Sequence, residues 1–207
     1  MTTLTLVRHG QTDWNLAQRI QGSTDIPLNE TGRQQALETG KRLRGRGIDT
    51  IATSPLIRAL ETARIIAEVL GLGEPAIVPG IVERAYGEAE GMDATALADR
   101  FPGMKGVPGL ERRSEVRTRV LPALEAVALA NLGAHVVVVA HGGVISSVVR
   151  YLSDQALPEP SYRMPNGSDH RFGYADGLLR LTEFNGESVD FPPRPVVPTG
   201  SPSSAPS

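Results

Sequence analysis

The chain reads as an α/β protein, a three-layer α/β/α sandwich around a mostly parallel central sheet. Three observations carry that reading. Short apolar runs alternate with amphipathic helical stretches, the order that builds parallel sheets. The strongest run, His135-Val-Val-Val-Val-Ala140, is continuous rather than alternating, as a strand covered on both faces must be. The length of 207 residues suits one domain, large enough to bury a core without staples.

Each element has its own signal. Leu4-Thr-Leu-Val-Arg8 reads as a short buried strand. From Glu30 to about Arg46, Ala36, Leu37, Gly40 and Leu43 fall at helical spacing ahead of Gly45 and Gly47. Asp49–Thr53 reads as a second strand. Ser54 and Pro55 follow as N-cap and first helical residue of a helix that carries Ala59, Ala63, Ile66 and Leu70 and stops before Gly71. Ala76–Val78 is a third strand. A long helix is expected from Glu111 to Asn131, the strongest strand at 135–140, and a helix from Val144 to Leu152. Leu178–Phe184 alternates ahead of Asn185-Gly186 and suits a late antiparallel or edge strand. The segments Gly91–Leu110 and Pro158–Gly173 read as loops. No internal repeat is found.

One boundary stands out. Residues 192–207 read PPRPVVPTGSPSSAPS, six prolines in sixteen residues with almost nothing to bury. Such a stretch cannot offset its ordering entropy. The expected organisation is a domain over 1–191 and a disordered tail over 192–207.

Composition excludes several classes. Without cysteine there are no disulfides, zinc-thiolate sites, iron–sulfur clusters or thiol nucleophiles. With 21 basic and 23 acidic residues, the basic excess of a nucleic-acid or membrane-surface protein is missing. No run of 18 apolar residues occurs. The start has neither a basic n-region nor a small-residue cleavage site, so a cytoplasmic location is the expectation. Asn29-Glu-Thr31 and Asn166-Gly-Ser168 match the glycosylation sequon by chance on that reading.

In sandwiches of this kind, ligands bind at the carboxyl ends of the strands. The first strand ends in Arg8-His9-Gly10, and Arg58 lies one turn into the helix after the second. Glu83 and Arg84 follow the third, and the strongest strand ends in His141-Gly142-Gly143. Two histidines, arginines and a carboxylate thus gather at one sheet edge. Arginine forks onto phosphate oxygens and keeps its charge. A neutral imidazole is a nucleophile near pH 7, and transient phosphorylation of a ring nitrogen divides one difficult displacement into two. A second histidine can donate to the transferring oxygens. A carboxyl group kept protonated by its setting can protonate the leaving alkoxide and later activate water. Helix N-termini behind the strands add partial positive charge.

Leu6-Val-Arg-His-Gly-Gln-Thr-Asp-Trp-Asn15, Ser54-Pro-Leu-Ile-Arg-Ala-Leu-Glu-Thr-Ala63 and Ala140-His-Gly-Gly143 together resemble the histidine phosphatase superfamily, in its phosphoglycerate mutase-like branch. The resemblance covers about residues 3–185. It implies that His9 is the residue phosphorylated, with Arg8, Arg58 and His141 around it and Glu83, in Glu83-Arg-Ala-Tyr-Gly87, as acid/base. Glu88 and Glu90 lie close enough in sequence to compete for that last role. Asn15, Gln21 and the Gly142 amide fall where relatives hold phosphate or substrate; Arg84 supports substrate or structure. The resemblance implies a phosphoglycerate mutase-like fold, no metal, no cofactor, a small phosphomonoester as partner and, by resemblance alone, a homodimer.

Blander readings compete for single residues. Trp14 reads as packing and Arg112-Arg113 as a solvated helix face. His135 opens a core strand and His170 sits in a loop, so neither receives a chemical role. His141-Gly-Gly is similar to an esterase oxyanion loop, but no serine elbow accompanies it. No Walker A sequence, strand-linked GxGxxG or HExxH is present. Three functions remain: a phosphatase acting through phosphohistidine, a cofactor-dependent phosphoglycerate mutase, and a non-catalytic phosphate-binding module. The mutases carry a longer insertion after the acid/base segment and Gly-Asn after the second histidine. Here the segment from Met92 to Glu111 is short and Gly-Gly follows, which favours the phosphatase.

Overall fold

The computed structural model describes residues 1–159 and 161–196. Four strands lie parallel in the order β3 (Ala76–Ile77), β2 (Thr50–Thr53), β4 (His135–Ala140) and β1 (Thr2–Arg8). Beyond β1 the sheet continues antiparallel through β5 (Asp169–Ala175) and β6 (Leu178–Phe184). Both β7 (Glu187–Ser188) and β8 (Arg194–Pro195) then pair with β6. The helices are α1 (Asp13–Leu16), α2 (Glu30–Leu43), α3 (Ile57–Leu70), α4 (Ala94–Arg100), α5 (Arg113–Ala130) and α6 (Gly142–Leu152). No helix among the described residues is long and apolar enough to cross a membrane.

The central strand shows why the layers form. Successive side chains of a strand point to opposite faces. Val137 and Val139 of β4 therefore pack with Ile51, Val7 and the inner residues of α2 and α3, such as Leu43, Ala63 and Ile66. Val136 and Val138 turn to the other face and meet Leu4, Leu6 and the inner residues of α5 and α6, such as Leu124 and Val148. Both faces of the strand are dry, as the unbroken run of valines requires.

Several expected boundaries shift. α3 begins at Ile57 rather than at Pro55, because Asp25 Oδ1 accepts the Ile57 N–H at 2.7 Å and does the capping from a distant loop. Ser54 is freed from the expected cap and turns elsewhere. α6 takes in Gly142 and Gly143 as its first turn. The two expected loops contain regular structure: α4 with a 3-10 turn at Pro102–Met104 in the first, and β5 in the second. β5 hides in the sequence because Asp169 and Arg171 interrupt its apolar residues. Those charges are matched by Arg42, Arg46 and Glu183. His170 is accordingly a fully buried strand residue stacked on Phe184, not a loop residue.

The expected tail boundary also moves. Arg194 and Pro195 pair with Leu179 and Leu178, the Val196 N–H donates to the Gly177 carbonyl at 3.2 Å, and the Val196 side chain is buried in the core. Residues 192–196 therefore belong to the domain, while 197–207 lie outside the described residues. Burying a valine side chain stabilises by about 1.5–3 kcal/mol. A chain ended at Phe191 should melt below one ended at Val196, by about 2–4 °C for each kcal/mol lost. Equal melting temperatures for the two would show that this strand adds nothing.

Candidate active site

The pairing of β1 with β4 runs in register from Thr3↔His135 to Arg8↔Ala140. The next residue on each strand is a histidine, and the His9 N–H continues the ladder by donating to the Ala140 carbonyl at 3.1 Å. Two imidazoles are thereby placed side by side at the carboxyl edge, their ring centroids 5.2 Å apart and their planes at 60°. Beyond His9 the chain must pass close to α2. A Cβ at Gly10 would stand 2.3 Å from the Gly32 carbonyl oxygen, so only glycine fits. The Gly10 N–H donates to Thr62 Oγ1 at 3.0 Å, and the Thr62 hydroxyl donates to the Arg58 carbonyl at 2.7 Å. Thr62 thus ties the turn after His9 to the turn of α3 that carries Arg58.

The electrostatics favour neutral imidazoles. His9 is buried, and burial first, then the charges of Arg8 and Arg58, hold its pKa well below the usual histidine value. His141 is fully buried and is depressed in the same direction by burial, Arg58, His9 and Arg8. His9 Nδ1 lies 2.7 Å from the Gly10 carbonyl oxygen, an acceptor only, so Nδ1 carries the proton and Nε2 keeps its lone pair.

The arginines are held by backbone. Arg58, fully buried, donates from Nη1 to the Thr24 carbonyl (3.0 Å) and from Nη2 to that of Gly22 (2.7 Å). Arg8 Nη1 donates to the Met164 carbonyl. Nε of each is buried with no hydrogen-bond partner. Burial lowers both guanidinium pKa values, but the groups stay charged near neutral pH.

Glu83 lies at the N-terminus of α6. Its Oε2 accepts from the Gly143 N–H at 3.1 Å, while Oε1 accepts from Val144 at 3.2 Å and from Arg84 at 2.8 Å. The expected positive helix end is thus spent partly on this carboxylate. Glu88 and Glu90 go elsewhere. Glu88 is exposed and paired with Arg100. Glu90 accepts from the backbone and hydroxyl donors of Ser23 and Thr24, which fixes the loop whose carbonyls hold Arg58.

Arg8, His9, Asn15, Gln21, Glu83, Arg84 and Gly142 line one cavity of about 700 Å³. Arg58 and His141 are absent from its wall; their charge and ring adjoin it through His9. Gln21 Oε1 accepts from Thr12 and Asn15, leaving its buried Nε2 unpartnered. Arg84 donates to the Glu111 carbonyl at 2.6 Å and lies over the Tyr86 ring.

Sequence reasoning missed several neighbours. Asn166 donates to the His9 carbonyl (2.9 Å) and to Asn15 Oδ1 (3.1 Å), so the supposed chance sequon lies at the heart of the site. Its only sequence signal was the Asn-Gly turn, which does not reveal that β5 would run beside β1. Arg113, read as a solvated face, is exposed but lines the cavity. Tyr86 also lines it; burial and the Glu83 charge push its hydroxyl up to about 12.

Comparison with known proteins identifies the family. The family model described as histidine phosphatase superfamily (branch 1) matches residues 4–187. The chain is 40% identical over 186 residues to the uncharacterized phosphatase PhoE of Bacillus subtilis, covering 89% of this chain and 95% of that one. It is 34% identical to the probable phosphoglycerate mutase GpmB of Photorhabdus laumondii, over 84% of this chain and 86% of the relative. Among solved structures it resembles an Entamoeba histolytica phosphoserine phosphatase mutant in complex with phosphoserine, with a TM-score of 0.74 and 32% identity. That match covers 89% of this chain and 97% of the other. The chain belongs to the histidine phosphatase superfamily, branch 1.

Proposed function

We propose that the protein hydrolyses a small phosphomonoester through a phosphohistidine on His9. The observation that carries the reading is a buried, neutral imidazole whose Nδ1 is committed to Gly10 and whose Nε2 is free, set among two guanidinium groups and a second histidine. In the first half-reaction His9 Nε2 bonds to phosphorus as the bond to the leaving oxygen breaks. Arg8 and Arg58 neutralise the phosphoryl oxygens with the Nε–H groups they hold in reserve. His141 donates alongside them, and Asn15, Gln21 and the Gly142 amide bind the phosphate oxygens. Two fixed guanidinium groups supply the charge neutralisation that a metal ion supplies elsewhere, so the reaction needs none.

Glu83 gives a proton to the leaving oxygen, then takes one from the water that attacks the phosphohistidine and frees phosphate. Of its two oxygens, Oε2 accepts one backbone N–H and Oε1 two, so Oε2 has the room to carry that proton.

The named relatives divide between phosphatase and mutase, and the short segment from Met92 to Glu111 together with Gly-Gly after His141 supports the former. A Cβ at Gly143 would stand 2.6 Å from Glu83 Oε1. Gly143 thus lets Glu83 Oε1 lie close against the first turn of α6.

Three outcomes are expected. With EDTA present, a quenched reaction of wild-type enzyme should contain an acid-labile, base-stable phosphoenzyme. His9→Ala should show neither that label nor turnover; residual activity above a few per cent, or label on serine, would remove His9 from the mechanism. Glu83→Gln should slow alkyl phosphates by about 10²–10⁴-fold and p-nitrophenyl phosphate far less, because that leaving group needs little protonation. Equal slowing of both would assign Glu83 to positioning alone. Finally, phosphate release should keep pace with substrate loss, and 3-phosphoglycerate should not become 2-phosphoglycerate at a comparable rate. Interconversion faster than release, dependent on 2,3-bisphosphoglycerate, would make the protein a mutase.

A further inference from the structure

Ser54 was expected to cap a helix, and the structure gives it different work. It follows β2 directly and is fully buried, with its N–H donated to the Val139 carbonyl at 3.0 Å. Its hydroxyl oxygen lies 2.7 Å from His141 Nε2 and also accepts the Leu56 N–H at 3.4 Å. His141 Nδ1 is buried without a partner. A neutral imidazole has one ring proton, and the hydrogen bond made by one nitrogen decides where it sits.

Only one assignment satisfies both groups. If Nε2 held the proton, the Ser54 oxygen would accept twice and its own proton would find no described acceptor in a fully buried place. Nδ1, buried and unpartnered, would then hold a bare lone pair and could donate to no phosphoryl oxygen. If the Ser54 hydroxyl donates to Nε2, the proton sits on Nδ1, the one ring nitrogen left over for a ligand. We propose that Ser54 is a positioning residue whose hydroxyl donates to His141 Nε2, fixing Nδ1–H as the donor presented to the transferring phosphoryl group. What that donor meets rests on the phosphatase reading; the tautomer itself does not.

The arrangement also explains why Ser54 leaves the cap to Asp25. The register Thr53↔Val139 between β2 and β4 carries Ser54 and His141 off the ends of neighbouring parallel strands, Ser54 one residue beyond the pair and His141 two. The hydroxyl therefore reaches across to the ring at 2.7 Å, and forward only in a longer contact with the Leu56 N–H ahead of α3. With burial and the charges of Arg58, His9 and Arg8 holding the ring neutral, a tautomer is a meaningful choice.

The experiment reads the ring nitrogens directly. In the full chain labelled with ¹⁵N-histidine, long-range ¹H–¹⁵N spectra distinguish protonated from bare nitrogens, and His141→Asn identifies the His141 signals. Wild type is expected to show Nδ1 protonated and Nε2 bare. Ser54→Ala should lose that state for a mixture or its reverse, with kcat lowered about 10–100-fold and KM little changed. Ser54→Thr, which keeps the hydroxyl, should recover most of the loss. A wild-type His141 protonated on Nε2, or Ser54→Ala with unchanged kcat, would overturn the proposal. Should Ser54→Ala fail to fold, the wild-type spectrum and Ser54→Thr still decide it. An Nδ1–H tautomer in a wild-type protein that hydrolyses no phosphomonoester would refute the phosphatase reading while leaving the Ser54–His141 assignment standing.

Discussion

The site depends on the register of β1 against β4. Side chains on a strand alternate between faces, so a slip of one residue would send Leu4 and Leu6 to the α2–α3 side and Val7 to the other. It would also place His9 opposite the wrong residue and separate the two rings. The packing of Val136–Val139 on two dry faces is what forbids that slip. Core and chemistry are therefore specified by one pairing. The two imidazoles need no loop to find each other.

Around that pairing the support is layered. His9 and His141 are kept neutral by burial and by guanidinium groups. Those groups are held by carbonyls of Gly22, Thr24 and Met164, and the Gly22–Thr24 loop is in turn clamped by Glu90. Glu90 was a rival for the acid/base position on sequence distance alone. Its four hydrogen bonds to Ser23 and Thr24 show a carboxylate engaged in fixing Arg58. Glu83 differs in lining the cavity, with both oxygens on backbone donors at the start of α6.

What the sequence disclosed follows from locality. The run 135–140 matches its strand residue for residue, because four consecutive β-branched valines have few alternatives. Gly71 ends α3 in a left-handed conformation, as a glycine after a periodic stretch should. The residues at the carboxyl ends of parallel strands were legible because topology gathers such ends. Asn166 and Met164 were not, since they reach Arg8 and His9 only through an antiparallel strand whose charges disguised it. Val196 escaped for the opposite reason. Proline-rich surroundings set the compositional reading, yet one buried side chain and two paired residues are enough to dock five residues. Ser54 was read from the residues after it, when its decisive partner is 87 positions away.

The same features that make the site reactive make it costly to fold. Arg8 and Arg58 are cations taken from water and given backbone carbonyls instead of carboxylates, and each keeps a buried Nε–H without an acceptor. His141 Nδ1 and Gln21 Nε2 are buried and unpartnered as well. Unmet buried donors each cost about 1–3 kcal/mol, and four of the seven unpartnered buried side-chain atoms among the described residues belong to residues that line this cavity or adjoin it. An anion with several acceptor oxygens resolves them together. A phosphate monoester has the charge for the two guanidinium groups and the oxygens for the spare donors. On the proposed mechanism, the unpaired donors are a binding energy withheld from folding and released when the phosphoryl group enters, greatest for the geometry in which that group passes to His9.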